Sequence, residues 1–348
     1  MLSGVSGLWN RARSFGQQYA LILLYHRVAD LACDPWAMAV SPHRFEQHMR
    51  LLQQVAYPVS LATLVEGLQQ RQLPKRAVAI TFDDGYADNL EHARPVLARY
   101  GLPATVFVPT CAIDSQREYW WDALEQLLLQ PGRLPRILNL SGSLDWDLGD
   151  DAVYSAEQAQ RYHEWRAPQA PPTARHRLFQ VLWERMHTQS SAEQTAVLAQ
   201  LFAWAGLQPQ ARATHRTLSS AELRCLAKGG LITIGGHTRR HPSLAALPRH
   251  EQRMEIGGNK ADLEQLLEQP AQLFAYPFGK QNDFTPDTVA SVREAGFAAA
   301  VTNLGGAVTH STDRFQLPRR YVHNWDIEEF QRRLEHWFTH PAGTERRR

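Results

Sequence analysis

Six short, largely apolar runs recur along the chain, at residues 20–25, 77–82, 104–108, 231–235, 272–276 and 297–301, and a seventh strand is expected at 316–322. Most are nearly continuous rather than alternating, the pattern of a strand buried on both faces. Between them apolar residues fall at helical spacing. Ser41 stands as an N-cap before Pro42, and Phe45, Met49 and Leu52 follow three or four residues apart. Leu61, Leu64, Val65 and Leu68 make a second such face, and residues 89–100 a third, closed by Gly101 and Pro103. Helices are likewise expected at 219–228, 248–268, 286–295 and 327–338. Strands alternating with helices predict parallel βαβ units, hence a barrel or an open sheet.

One stretch breaks the rhythm. From about 115 to 214 no strand pattern is evident, while 119–130, 174–188 and 191–205 have helical periodicity and 132–151 reads as a loop or small hairpin. Six of the ten tryptophans fall here, at 120, 121, 146, 165, 183 and 204. The division that follows is an N-terminal segment (1–19), a discontinuous barrel or open sheet of βα units (20–114 and 216–323), a Trp-rich, mainly helical insertion (115–215), and a C-terminal helix with a basic tail (324–348).

Composition narrows the partners. With 348 residues, 44% of them hydrophobic, the chain can bury an ample core. Its 37 basic and 35 acidic side chains leave a net charge of +2, without the clustered basic excess of a nucleic-acid protein. Cys33, Cys111 and Cys225 make neither a disulfide framework nor a metal knuckle, which favours a reducing compartment. No apolar run reaches the ~18–20 residues of a membrane span. The block at 20–25 is also too short for a secretory signal, so a cytoplasmic location is expected. Leu2, Val5, Leu8, Trp9 and Phe15, with Arg11 and Arg13, carry the pattern either of a packing helix or of one lying on the inner face of a membrane.

Candidate chemistry gathers at the ends of the expected strands, where parallel α/β folds bind ligands. Thr81-Phe-Asp-Asp-Gly85 places two adjacent carboxylates after an apolar strand, costly to bury unless paired or bound to a metal. His237-Thr-Arg-Arg-His241 has the i, i+4 spacing that on a helix face lets two imidazoles grip one ion. His336 and His340 share that spacing on the C-terminal helix, with no carboxylate partner in view, and are expected to be solvated. His26, Phe274-Ala-Tyr-Pro-Phe-Gly279 and Arg319-Arg320 also stand at strand ends. Asp84, His237 and His241 together offer three ligands with an open position, a catalytic rather than a structural metal set. Asp83 beside them would be the general base for a metal-activated water.

This constellation resembles the polysaccharide deacetylase (NodB-homology, carbohydrate esterase family 4) superfamily. The matching residues are Thr81-Phe-Asp-Asp-Gly85, Ala104-Thr-Val-Phe-Val108, Gly236-His-Thr-Arg-Arg-His-Pro242 and Phe274-Ala-Tyr-Pro-Phe-Gly279; Leu24-Tyr-His-Arg-Val28 is similar to the opening strand of the exopolysaccharide-pathway branch. The resemblance implies an α/β fold, a distorted (β/α) barrel of seven or eight strands, with the insertion at its mouth. It implies a divalent metal, zinc first with cobalt, manganese or nickel as alternatives, on Asp84, His237 and His241. Asp83 would be the base, and the Phe278 N–H would help hold the oxyanion. The reaction implied is hydrolysis of an N-acetyl group on an amino-sugar glycan or its lipid- or nucleotide-linked precursor. Deformylation, O-deacetylation and a non-catalytic glycan- or partner-binding barrel are the alternatives. Two positions depart from the family pattern. Ala275 stands where an Arg often orients the base, which leaves Arg319 or Arg320 to do so. The usual general-acid His is missing from Leu317-Pro-Arg-Arg-Tyr321, which leaves His323 or His26. Tyr25, Trp121, Tyr276, Pro277, Phe278 and Arg320 are expected to meet substrate, and association with a membrane glycan-synthesis complex is expected from the N-terminal segment.

Overall fold

The computed structural model describes residues 19–115, 117–140 and 144–340. The seven expected strands are present as β1 (Tyr19–Tyr25), β2 (Ala77–Phe82), β3 (Ala104–Val108), β4 (Ile232–Gly236), β5 (Leu273–Ala275), β6 (Ala299–Val301) and β7 (Arg320–Tyr321). They pair in parallel in the order β6-β5-β4-β3-β2-β1-β7. Leu317, just before β7, bridges Val301 of β6, so the sheet curls round and closes as a distorted barrel. Strand alternation divides the core. Leu21, Leu23, Tyr25, Ile80 and Phe82 pack with Phe45 and Met49 of the helix Pro42–Val55. Ala20, Ile22, Ala79, Ala275, Val301 and Leu317 pack together around Phe107 in a second cluster.

Several details differ from the sequence expectation. The helix foreseen at 89–100 begins as a π-turn, Asn89–Ala93, and becomes α-helical only at Arg94–Tyr100. Pro95 has no N–H to donate to an α-helical ladder, which accounts for the break. Strands of two residues each at Arg27–Val28, Ala39–Val40, Tyr57–Pro58 and Val308–Thr309 were too short to leave a periodic signal. Residues 2–15, with their amphipathic pattern, lie outside the described residues, and no described helix is long and apolar enough to cross a membrane.

Within 115–215 the structure has the helices that periodicity predicts and, in the stretch read as a loop or small hairpin, short antiparallel strands. Ile137–Asn139 pairs antiparallel with Asp145–Asp147, and Gly132–Arg133 with Val153–Tyr154. The helices Trp120–Leu129, Ala174–His187 and Ser191–Ala205 surround a separate hydrophobic core that includes Trp120, Trp121, Trp165, Leu124, Leu128, Phe179 and Leu182. Arg212 clasps the two ends of this stretch together. Its guanidinium donates to Glu118 at 2.8 and 2.9 Å and to Glu125 at 2.6 Å, and both carboxylates are nearly buried.

Gly236 shows how tightly the barrel rim is built. A Cβ on it would collide with the Asn259 Oδ1 and crowd the Phe297 ring. That oxygen accepts the His237 N–H at 3.1 Å, so Gly236→Ala should displace the loop that follows β4. We expect a loss of about 1–3 kcal/mol in chemical denaturation, the usual cost of overpacking.

Candidate active site

The loops after β2 and β4 build the centre of the site. Neighbouring residues in a strand point to opposite faces. Asp83 and Asp84 escape this because Asp84 (φ +71°) and Gly85 (φ +64°) turn left-handed at the strand end, and both carboxylates are buried. Residues 237–241 are a loop, not the helix face that their spacing suggested. Thr238 (φ +63°) and His241 (φ +59°) fold it back on itself, and the His241 N–H donates to Thr238 Oγ1 at 3.0 Å. Asn259 clamps the loop from the helix Arg249–Leu267, its amide donating to the carbonyls of Thr238 (2.6 Å) and Val108 (3.0 Å). A non-glycine residue at positive φ is strained, and such residues cluster where a function holds them in place.

Asp84 Oδ1 lies 3.5 Å from His237 Nε2 and 3.3 Å from His241 Nε2. Ligand atoms from the three residues all lie within 4.8 Å of one another. His237 Nδ1 is 2.7 Å from the Ala275 carbonyl, which fixes the proton on Nδ1 and turns the Nε2 lone pair toward Asp84. Asp84 Oδ1 is itself buried and accepts no hydrogen bond. A buried carboxylate oxygen facing two imidazole nitrogens could hold a cation between them, and a carboxylate with two imidazoles suits zinc or a similar divalent ion. Electrostatics agree. Burial pushes the Asp84 carboxyl up, but the two imidazoles outweigh it and hold it below the usual carboxylate range. Burial likewise depresses His237, yet the charges of Asp83 and Asp84 raise it above its ordinary value, a proton taking the cation's part.

Asp83 is held differently. Arg319 grips it through two parallel hydrogen bonds, Nη1 to Oδ1 at 2.7 Å and Nη2 to Oδ2 at 2.6 Å, with both residues 1% exposed. Burial alone would raise the Asp83 carboxyl; the adjacent guanidinium keeps it below its usual value. Arg319 is aimed in turn by the Thr302 carbonyl (3.1 Å) and Asn303 Oδ1 (2.6 Å). The Asn303 amide also donates to the Phe278 carbonyl at 2.7 Å, so one side chain ties the arginine to the turn at Phe278, itself left-handed at φ +58°.

With the geometry in place, comparison with known proteins decides the family. The sequence profile described as polysaccharide deacetylase matches residues 70–132 and 193–300, segments that contain Asp83, Asp84, His237, His241 and Phe278. The chain belongs to the polysaccharide deacetylase family. A Bacillus subtilis protein named for this family, YxkH, is 35% identical over 91 residues, which is 25% of this chain and 30% of that protein. The poly-beta-1,6-N-acetyl-D-glucosamine N-deacetylase of Escherichia coli is 34% identical over 82 residues, 23% of this chain and 12% of that one. The chain thus spans less than a third of the length of either relative in the match. The solved Streptococcus pyogenes deacetylase PplD, in complex with acetate, superposes over 90% of this chain and 97% of its own with a TM-score of 0.57 at 17% identity, a likeness of fold.

The remaining candidates of this deacetylase-family chain divide in two. His26 and His323 both stack on Tyr321, with ring centroids at 5.1 and 4.6 Å. His26 Nδ1 is buried without a hydrogen bond, and burial lowers its pKa although Asp84 and Asp83 lie close enough to oppose the shift. His323 Nδ1 is 3.1 Å from the Ala37 carbonyl. Phe278 and Trp121 stand against His241, at 4.7 and 4.9 Å between ring centroids, and Pro277 forms the turn before Phe278. Three expected substrate contacts are corrected. Tyr25 is buried between Phe45 and Phe82. Tyr276 stacks on Phe284 and spends its hydroxyl on the Phe315 carbonyl. Arg320 lies over Trp337, buried and turned away from the partner of its neighbour Arg319. All three sit on the outward-packing side of their strands, where alternation sends every second residue. His336 and His340 are exposed and stack on each other at 4.5 Å.

Sequence reasoning passed over Asn259, Asn303 and Tyr119. Asn303 stands just past β6, so the strand-end signal that marked the aspartates was available for it. His187, from the segment 115–215, was also missed: its Nε2 lies 2.9 Å from the buried Asp283, and its ring rests against Phe278 at 4.3 Å.

Proposed function

We propose that the protein is a metal-dependent hydrolase that removes N-acetyl groups from an amino-sugar polysaccharide or its precursor. The observation that carries this reading is the buried Asp83–Arg319 pair beside the Asp84, His237 and His241 cluster: one carboxylate kept ionised and aimed, its neighbour set for a cation. A divalent ion held by Asp84, His237 and His241 would supply Lewis acidity to the acyl carbonyl and the attacking water. Asp83 takes the proton of that water, while Arg319 fixes the plane of its carboxylate. The Phe278 N–H donates to the developing oxyanion, a role in which a backbone donor is indifferent to the side chain. The proton that Asp83 took from the water then reaches the departing amine, relayed through His26 or His323. Water is consumed, the C–N bond breaks, and acetate and a free amino sugar leave.

The Arg319 pair supports the catalytic reading over the non-catalytic one, since an arginine lies on Asp83 although Ala275 stands where the family often has one. The name of the Escherichia coli relative makes N-acetylglucosamine polymers the first substrates to try. Zinc-loaded protein should release acetate from β-1,4- or β-1,6-linked N-acetylglucosamine oligomers. Formate from N-formyl substrates, or acetate from O-acetyl sugars alone, would move the reaction to the corresponding alternative. His237→Ala should lose both the ion, read by elemental analysis, and turnover; stoichiometric zinc retained in that variant would refute the ligand set.

A further inference from the structure

The Trp-rich segment touches the metal cluster at a point that the reaction chemistry above leaves unused. Asp84 can aim its carboxylate at His237 and His241 only while its backbone stays left-handed at φ +71°. For a residue with a Cβ that conformation is strained, so something must hold it. The Tyr119 hydroxyl donates to the Asp84 carbonyl at 2.6 Å. Tyr119 stands as the N-cap residue of the helix Trp120–Leu129, on the far side of β3 in sequence from the aspartates.

The tyrosine is firmly placed. Its ring stacks on Trp121 at 4.4 Å and 10° between planes, and meets Tyr86 edge-on at 5.3 Å. Trp121 Nε1 donates to the Tyr86 hydroxyl at 2.9 Å, and that hydroxyl donates to Asp122 Oδ2 at 2.7 Å. The Arg27 guanidinium covers the Tyr86 ring at 4.2 Å. Trp121 also lies against His241, so the start of this helix contacts two of the three proposed ligands. A hydrogen-bonded, ring-stacked platform of this kind restricts the motion of what it holds.

We propose that Tyr119 is a positioning residue for metal binding: its hydroxyl pins the Asp84 carbonyl, keeps the strained turn in place, and so sets the direction of the Asp84 carboxylate. The proposal rests on the metal reading of the Asp84, His237 and His241 cluster. It makes the segment 115–215 part of the metal centre's support rather than only a wall of the substrate cleft.

The test needs no substrate. Full-length protein stripped with a chelator is titrated with zinc against a competing chelator of known affinity. Tyr119→Phe should weaken zinc binding tenfold or more, in the range found for removal of groups that support a metal's ligands. Its metal-free thermal midpoint should move by only a few degrees, as the loss of one hydrogen bond predicts. The visible spectrum of the cobalt-loaded variant should also change, reporting altered ligand geometry, which a general loosening of the fold would not produce selectively. Tyr57→Phe, at the opposite end of the strands, should leave affinity and spectrum as in the wild type. Equal zinc affinity and an unchanged cobalt spectrum in Tyr119→Phe would overturn the role of the tyrosine while leaving the metal reading intact. Failure of the wild type to bind zinc or cobalt would overturn both.

Discussion

Asp83→Asn should lower acetate release by about 10³-fold, within the range that a positioned general base contributes, while zinc affinity stays within a few-fold of the wild type. Asparagine has the shape of aspartate and its amide oxygen can still accept one hydrogen bond from Arg319. What it lacks is a basic oxygen to take a proton from water. The proposed ligands are Asp84, His237 and His241, so the ion should remain. Turnover at saturating substrate and zinc stoichiometry on the same preparation make the measurement. Loss of the ion together with activity would move Asp83 into the ligand set; unchanged turnover would remove it from the mechanism.

Arg319→Met should be costly in a different way. It leaves the Asp83 carboxylate buried without its partner, and breaking a buried pair from one side typically costs about 3–5 kcal/mol. Urea denaturation of the metal-free protein reads this directly. The pH dependence has a definite sign. In the wild type, Arg319 outweighs burial and holds the Asp83 pKa below its usual value, so the base is ionised across the neutral range. Its contribution to stability is present above the unfolded-state pKa and is lost as pH falls through the lower folded value. In the variant, burial acts unopposed and the pKa rises. The acid limb of the rate profile should therefore shift toward neutral pH, with turnover at pH 7 reduced by about 10²-fold or more. Arg319→Lys should recover part of the stability but not the two-point grip on the carboxylate plane. A variant with wild-type stability and an unshifted acid limb would show that the pair has no such role.

The parts of this molecule that could be read from the sequence were those with a strong local signal. Apolar runs located most of the barrel strands, because burial on both faces removes polar residues from them; the last, at 316–322, carries two arginines and was placed by its position in the βα rhythm. The paired aspartates and spaced histidines stood out because ionisable residues at the end of a buried strand need a compensating partner. Less legible was anything that depends on direction. Residues 25, 276 and 320 were assigned to substrate by their place in motifs, whereas strand alternation turns them into the packing layer. Position alone could not separate Arg319 from Arg320; one step of the backbone decides which reaches Asp83. Asn259, Asn303 and Tyr119 act through hydrogen bonds to carbonyl oxygens far away in sequence, and a composition or spacing argument carries no trace of those partners. The histidines were paired for a sound reason and the wrong geometry, since a left-handed loop brings them together as well as a helix would.

The clasp at Arg212 bears on how the barrel can assemble at all. β3 and β4 are neighbours in the ring, yet the whole segment 115–215 separates them along the chain. Closing a loop of that length costs about 2 kcal/mol more in chain entropy than closing a short turn, and contacts so distant in sequence slow folding. A segment that condenses around its own tryptophan-rich core and ties Glu118 and Glu125 to Arg212 brings its two ends together beforehand. The search for the β3–β4 pairing then becomes that of a much shorter loop. Arg212→Ala would accordingly be felt in the refolding rate as well as in the final stability, the arginine acting as a kinetic shortcut between the two halves of the barrel.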